Sequence, residues 1–134
     1  MKLGILLFER FNSMNKYKEL TKYLTIIDND NFVQLVTNKE KTIIKNFVND
    51  IYYFIDSNKE DNLNDYISIL GNNGILWSFD DMKNADIYKL DGICIVSLLI
   101  GVVRLDRFYE GALFEFFTNG QITKWLKRLK EIDY

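Results

Sequence analysis

The apolar run from Ile93 to Val103 is the feature that most constrains the fold of this chain. Asp91, a residue type that caps helix N-termini, stands just before it, and Arg104 follows it. A helix that is hydrophobic nearly all the way round must be covered on most sides by other segments. The run is about half the length needed to cross a bilayer core, so we expect no membrane contact. It therefore predicts a central helix over residues 91–104.

Apolar residues in the flanking segments show the spacing of amphipathic helices. The clearest case runs from Ile43 to Ile55 after a capping pattern that joins Thr37 to Glu40. The chain contains no proline, so nothing forces a break inside a helix. Further stripes are Tyr17, Leu20, Leu24 and Ile27; Leu63, Tyr66, Ile67 and Leu70; Leu113, Phe116 and Phe117; and Ile122, Trp125, Leu126 and Leu129. We predict an all-α fold of five or six helices around the central one, with a helical hairpin at the C-terminus.

Two apolar stretches are compatible with either a helix or a strand. They are residues 1–11 and 75–79, and runs this short do not distinguish the two structures. Gly71 follows the stripe that ends at Leu70 and is predicted to be the left-handed cap of that helix. The length of 134 residues and the lack of repeats or linkers predict a single domain over residues 1–134.

Composition and cysteine content favour a cytoplasmic protein. The net charge of −2 provides no overall attraction to nucleic acid or to an anionic membrane. The single cysteine, Cys94, lies within the apolar run, which predicts a buried and unreactive thiol in a reducing compartment. The apolar start of the chain is interrupted by Glu9 and Arg10, so it does not match a signal peptide.

The C-terminal half carries a recognisable pattern. It contains an acid–Arg–Phe triplet at residues 106–108, Gly111 shortly after it, Gly120 before the last helix, and a Trp-Leu-x-Arg-Leu ending that finishes at Leu129. Over about residues 74–132 the chain resembles a family of small bacterial proteins of unknown function. The resemblance implies a mostly helical domain and brings no activity, substrate or cofactor with it.

Charged side chains cluster where the central helix is expected to end. The candidate binding residues are Arg104, Asp106, Arg107, Phe108 and Glu110. Two neighbouring arginines can each hold a phosphate or a carboxylate in a bidentate way, which lysine cannot. The structural alternative is that nearby acids or helix-end carbonyls hold the arginines. That alternative is the default, because structural ion pairs are more common than binding sites.

The sequence offers no catalytic residue. It has no histidine, which removes the usual general base and the usual zinc ligand. No nucleophile–base pair, nucleotide-binding glycine loop or metal-ligand spacing is present, so we predict no metal and no cofactor. The prediction is a non-catalytic accessory or protein-interaction domain that binds a protein partner or a second copy of itself. A phosphate-handling enzyme ranks below both this prediction and nucleic-acid binding.

Nucleic-acid binding through the last helix is the first alternative. Residues 112–118 and 121–131 have helix–turn–helix spacing with a glycine in the turn. Phosphate contacts would come from Lys124, Lys127, Arg128 and Lys130. Against this alternative, the chain is acidic overall, and a basic outer face is ordinary for a final helix.

Aromatic residues are more numerous near the C-terminal hairpin than its inner face needs. Core filling is the default interpretation, and an exposed patch for a partner or for self-association is the alternative. The residues concerned are Phe108, Tyr109, Phe114, Phe116, Phe117 and Trp125.

Overall fold

The structure of the protein, a computed structural model, describes residues 16–27 and 40–133. Two short helices, α1 (Lys18–Thr21) and α2 (Leu24–Ile27), come before the long helix α3 (Glu40–Ser57). The other helices of the described residues are α4 (Tyr66–Asn72), α5 (Phe79–Lys83), α6 (Gly92–Leu105), α7 (Ala112–Thr118) and α8 (Gln121–Ile132), with 3-10 turns at Lys59–Asp61, Leu63–Asp65 and Ile87–Lys89. No strand occurs in the described residues, and the all-α prediction is confirmed.

Helix α6 is the centre of the fold, as predicted. It begins after Asp91, whose Oδ1 accepts a hydrogen bond from the backbone N–H of Cys94 at 2.9 Å. All of its residues except Ile93 and Arg104 are buried, and it contacts α3, α4, α5, α7 and α8. Burial, helped by the nearby charge of Asp91, raises the pKa of the Cys94 thiol to about 11, so the thiol stays neutral. None of the described helices is long and apolar enough to cross a membrane.

The predicted C-terminal hairpin is confirmed as α7 and α8. The turns before the two helices use Gly111 and Gly120, which have φ angles of 91° and 85°. Only glycine adopts this left-handed conformation at little cost. The aromatic residues divide between the core and the surface: Phe116, Phe117 and Trp125 are buried, whereas Phe108, Tyr109 and Phe114 are exposed.

The first apolar stripe is buried, but it lies on two short helices instead of one. The backbone N–H of Tyr23 bonds to the carbonyl of Leu20 at 3.3 Å, and this tighter turn separates α1 from α2. The Tyr23 hydroxyl donates a hydrogen bond to Asp50 of α3, which fixes the turn against the long helix. The sequence pattern thus predicted the buried face correctly and missed the break.

The stretch at residues 75–79 is neither a helix nor a strand over most of its length. Helix α5 begins only at Phe79, because the Ser78 Oγ accepts a hydrogen bond from the backbone N–H of Asp81 at 3.2 Å and caps it. The other undecided stretch, residues 1–11, and the capping residue Thr37 lie outside the described residues.

The end of α4 differs from the prediction. Gly71 lies inside the helix, and the left-handed residue is Gly74, with a φ of 75°. The backbone N–H of Ile75 reaches back to the carbonyl of Leu70 at 3.0 Å and closes the helix around Gly74. The prediction that Gly71 is the cap is therefore wrong.

Candidate functional site

Arg104, in the last turn of α6, lies between two tyrosine rings. Its guanidinium carbon is 5.5 Å from the ring centre of Tyr52 on α3 and 5.7 Å from that of Tyr66 on α4. The side chain is half-buried, and its Nε is buried without a hydrogen-bond partner. Among the described residues, no carboxylate lies within ion-pair distance of it. Aromatic faces, which attract cations, therefore stabilise its charge in place of an acid.

Arg107 lies in the loop that follows α6 and is exposed. Its Nη2 donates a hydrogen bond to the Tyr52 hydroxyl at 2.9 Å, so both arginines contact the same tyrosine. Because α6 ends at Leu105, Arg107 and Glu110 do not form the ion pair that a continuous helix would allow. No acid in the described part of the chain pairs with Arg107. In the described residues the arginines are therefore contacted by tyrosines and not by acids.

A chain of aromatic rings connects the arginines to the surface. The Trp77 ring packs edge-on against Tyr66 at 5.7 Å and against Phe108 at 5.9 Å. The Trp77 indole N–H donates to the Gly101 carbonyl of α6 at 2.9 Å, which fixes the ring in place. Phe108 is 72% exposed. We call Arg104, Arg107, Phe108, Tyr52, Tyr66 and Trp77 the Arg–aromatic surface.

The charges of both arginines influence the pKa of Tyr66. Burial raises the pKa of its phenol, and the charges of Arg104 and Arg107 act in the opposite direction. Both arginines are therefore close enough to influence one hydroxyl. The phenol stays protonated near neutral pH and cannot neutralise either arginine.

Asp106 is directed at the backbone. Its Oδ1 accepts hydrogen bonds from the N–H groups of Gly111 and Leu113, each at 3.1 Å. These bonds close the loop after α6 and satisfy free donors at the start of α7. Of the five candidate binding residues, Asp106 therefore holds the shape of the loop that carries Arg107 and Phe108.

The same loop borders a cleft of about 560 Å³. Its lining includes three acidic residues, Asp80, Glu110 and Glu115. None of the three pairs with a cation of the described residues, and among those residues no group of three or more acidic side chains is close enough to hold a metal ion. The rest of the lining is formed by Ser78, Phe79, Leu105, Tyr109, Gly111 and Ala112. We call it the acidic cleft.

The helices that build these features fall within one family match. The family described as "Family of unknown function (DUF6508)" matches residues 12–133. The chain belongs to this family. In this DUF6508 chain the match extends well beyond residues 74–132, the range of the sequence resemblance, and includes α1 to α4. No curated protein and no solved structure matches the chain.

The basic residues of α8 in the DUF6508 chain divide into two groups. Lys124, Lys127 and Lys130 are exposed at three-residue intervals, so they lie along one side of the helix. Arg128 is half-buried, pairs with Glu131 at 3.0 Å, and lies over the Tyr88 ring at 5.3 Å. The other faces of α8 pack against α1, α2, α6 and α7.

Sequence reasoning missed three aromatic residues of the Arg–aromatic surface: Tyr52 and Tyr66, which contact the arginines, and Trp77, which packs against Tyr66. Tyr52 lies within the predicted helix from Ile43 to Ile55, Tyr66 belongs to a predicted apolar stripe, and Trp77 lies in the undecided stretch 75–79. Only one local signal points to them, namely the polar group that each of these aromatic side chains carries, since buried tyrosine and tryptophan usually find a partner for that group.

Proposed function

We propose that this DUF6508 chain is a non-catalytic protein-interaction domain that binds an acidic segment of a partner on the Arg–aromatic surface. One observation supports this most directly: Arg104 and Arg107 are held by tyrosines and have no acidic partner among the described residues. Their charge therefore remains available to a ligand. The neutral, buried thiol of Cys94 supports a cytoplasmic location.

The geometry indicates what the partner offers. Arg107 is exposed and can meet a carboxylate with two parallel hydrogen bonds, while the half-buried Arg104 adds positive charge behind it. An ion pair left exposed to water contributes only about 0–1 kcal/mol, whereas a charge-assisted hydrogen bond that the partner shields from water contributes about 1.5–3 kcal/mol. Covering an exposed phenylalanine such as Phe108 contributes about 1.5–3 kcal/mol. The expected ligand therefore places an apolar side chain beside its acid.

Replacing Arg107 with glutamine is expected to weaken partner binding by about tenfold, since the variant loses a charge-assisted bidentate contact. The measurement is affinity capture from a lysate of the source organism, followed by titration with the purified partner. Lys124→Gln removes one exposed charge on α8 and is the matched control, which should bind like the wild type. Binding should also weaken as salt is added. Equal affinities for wild type and Arg107→Gln would contradict the proposal.

Nucleic-acid binding on α8 is a second candidate, favoured by the aligned and exposed Lys124, Lys127 and Lys130. A mobility-shift assay at low salt with a DNA duplex and an RNA hairpin tests it with the same two variants. In this case Lys124→Gln should weaken binding and Arg107→Gln should not. No shift at low salt would exclude this candidate.

A further inference from the structure

The loop after α6 presents unpaired charges of both signs. Arg107 and Glu110 are three residues apart, and neither forms an ion pair within the described part of the chain. Between them, Phe108 and Tyr109 are 72% and 68% exposed. This loop thus carries a cation, two uncovered aromatic rings and an anion in succession. Two copies of this loop can therefore pair the cation of one with the anion of the other.

We propose that the occupant of the Arg–aromatic surface is a second copy of this chain, related to the first by a two-fold axis. This inference rests on the proposed function and names the partner. In a two-fold dimer, a contact between residues i and j is repeated as a contact between j and i. Arg107 of each copy therefore faces Glu110 of the other, and Phe108 and Tyr109 are covered near the axis.

The acidic cleft can bind the Arg107 side chain of the other copy, which this arrangement places beside it. Its lining includes Asp80, Glu110 and Glu115, each of which can pair with a guanidinium, and Phe79, against which the methylene stem of an arginine can pack. Arg107 of the other copy has both the guanidinium and the methylene stem that these residues can contact. The charges fix the orientation of the two copies, and the buried aromatic rings provide most of the affinity.

Charge exchange tests the pairing in the full-length chain. Sedimentation velocity over a wide range of protein concentration should show a reversible dimer for the wild type. Arg107→Glu and Glu110→Lys each place like charges opposite one another and should weaken the dimer by about tenfold or more. An equal mixture of the two variants restores opposite charges at both contacts, so it should dimerise again. The control Lys124→Glu should leave the dimer unchanged.

Three results would overturn the inference. A wild type that is monomeric at every concentration removes the second copy, and the proposed function then survives only if Arg107→Gln still weakens capture of another protein. If neither single variant weakens the dimer, the dimer interface lies on another surface of the chain. If each variant is monomeric and the mixture of the two does not dimerise, Arg107 does not pair with Glu110 in the wild-type dimer.

Discussion

Replacing Trp125 with alanine is expected to lower the free energy of unfolding by about 3–5 kcal/mol. The indole is fully buried, and its ring centre is 5.4 Å from that of Phe116 on the neighbouring helix. Alanine leaves a cavity at the contact between α8 and α7, which the packed helices can close only in part. Domains of this size are stable by about 5–15 kcal/mol, so the loss is a large share of the total. Urea denaturation of the full chain measures it.

The matched control for Trp125→Ala is the neighbouring residue. Lys124 is exposed on the same helix, and Lys124→Ala should change the free energy of unfolding by less than about 0.5 kcal/mol. A loss below about 1.5 kcal/mol for Trp125→Ala would mean that α8 does not pack in the core as described.

The second large effect is expected for Gly92→Ala at the start of α6. A Cβ at this position would overlap the Tyr17 hydroxyl and lie 2.5 Å from the Tyr17 Cζ. Tyr17 cannot move away cheaply, because its N–H donates to Asp133 at 3.0 Å and its ring stacks on Phe54 at 5.8 Å. Overpacking of this kind costs about 1–3 kcal/mol. The same urea denaturation should show a loss in this range.

Gly71→Ala is the control for this prediction. Gly71 is also helical, but an added Cβ would meet nothing within 4 Å. Removing a glycine from such a position stabilises a helix by about 0.5–1 kcal/mol. The two glycine variants should therefore change stability in opposite directions. A stabilising Gly92→Ala would show that Tyr17 does not pack against the start of α6.

The central helix could be predicted because its signals are local. A capping acid at Asp91, followed by an apolar run, specifies the start and the burial of α6 without knowledge of the rest of the chain. The hairpin was predictable for the same reason, since Gly111 and Gly120 mark the starts of its helices. Gly71 and Gly74 were harder to separate, because both are near the end of α4 and the deciding hydrogen bond is made by Ile75.

The environment of the arginines could not be predicted in this way. The hydroxyl that binds Arg107 belongs to Tyr52, which is 55 positions earlier in the chain. It reaches Arg107 only because α3 packs against α6. The sequence left acids and helix-end carbonyls as the groups that could hold the arginines, and the end of α6 at Leu105 removes the helical spacing that would bring Glu110 beside Arg107.

The free energy of unfolding of Arg107→Gln, measured beside its partner binding, separates a binding role from a structural one. Arg107 is exposed, and within the described residues its side chain makes one hydrogen bond, to the Tyr52 hydroxyl, so the stability loss should stay within about 1 kcal/mol. Partner binding should fall by about tenfold in the same preparation. A stability loss above about 2 kcal/mol, or unchanged binding by a stable variant, would contradict a binding role for the Arg–aromatic surface.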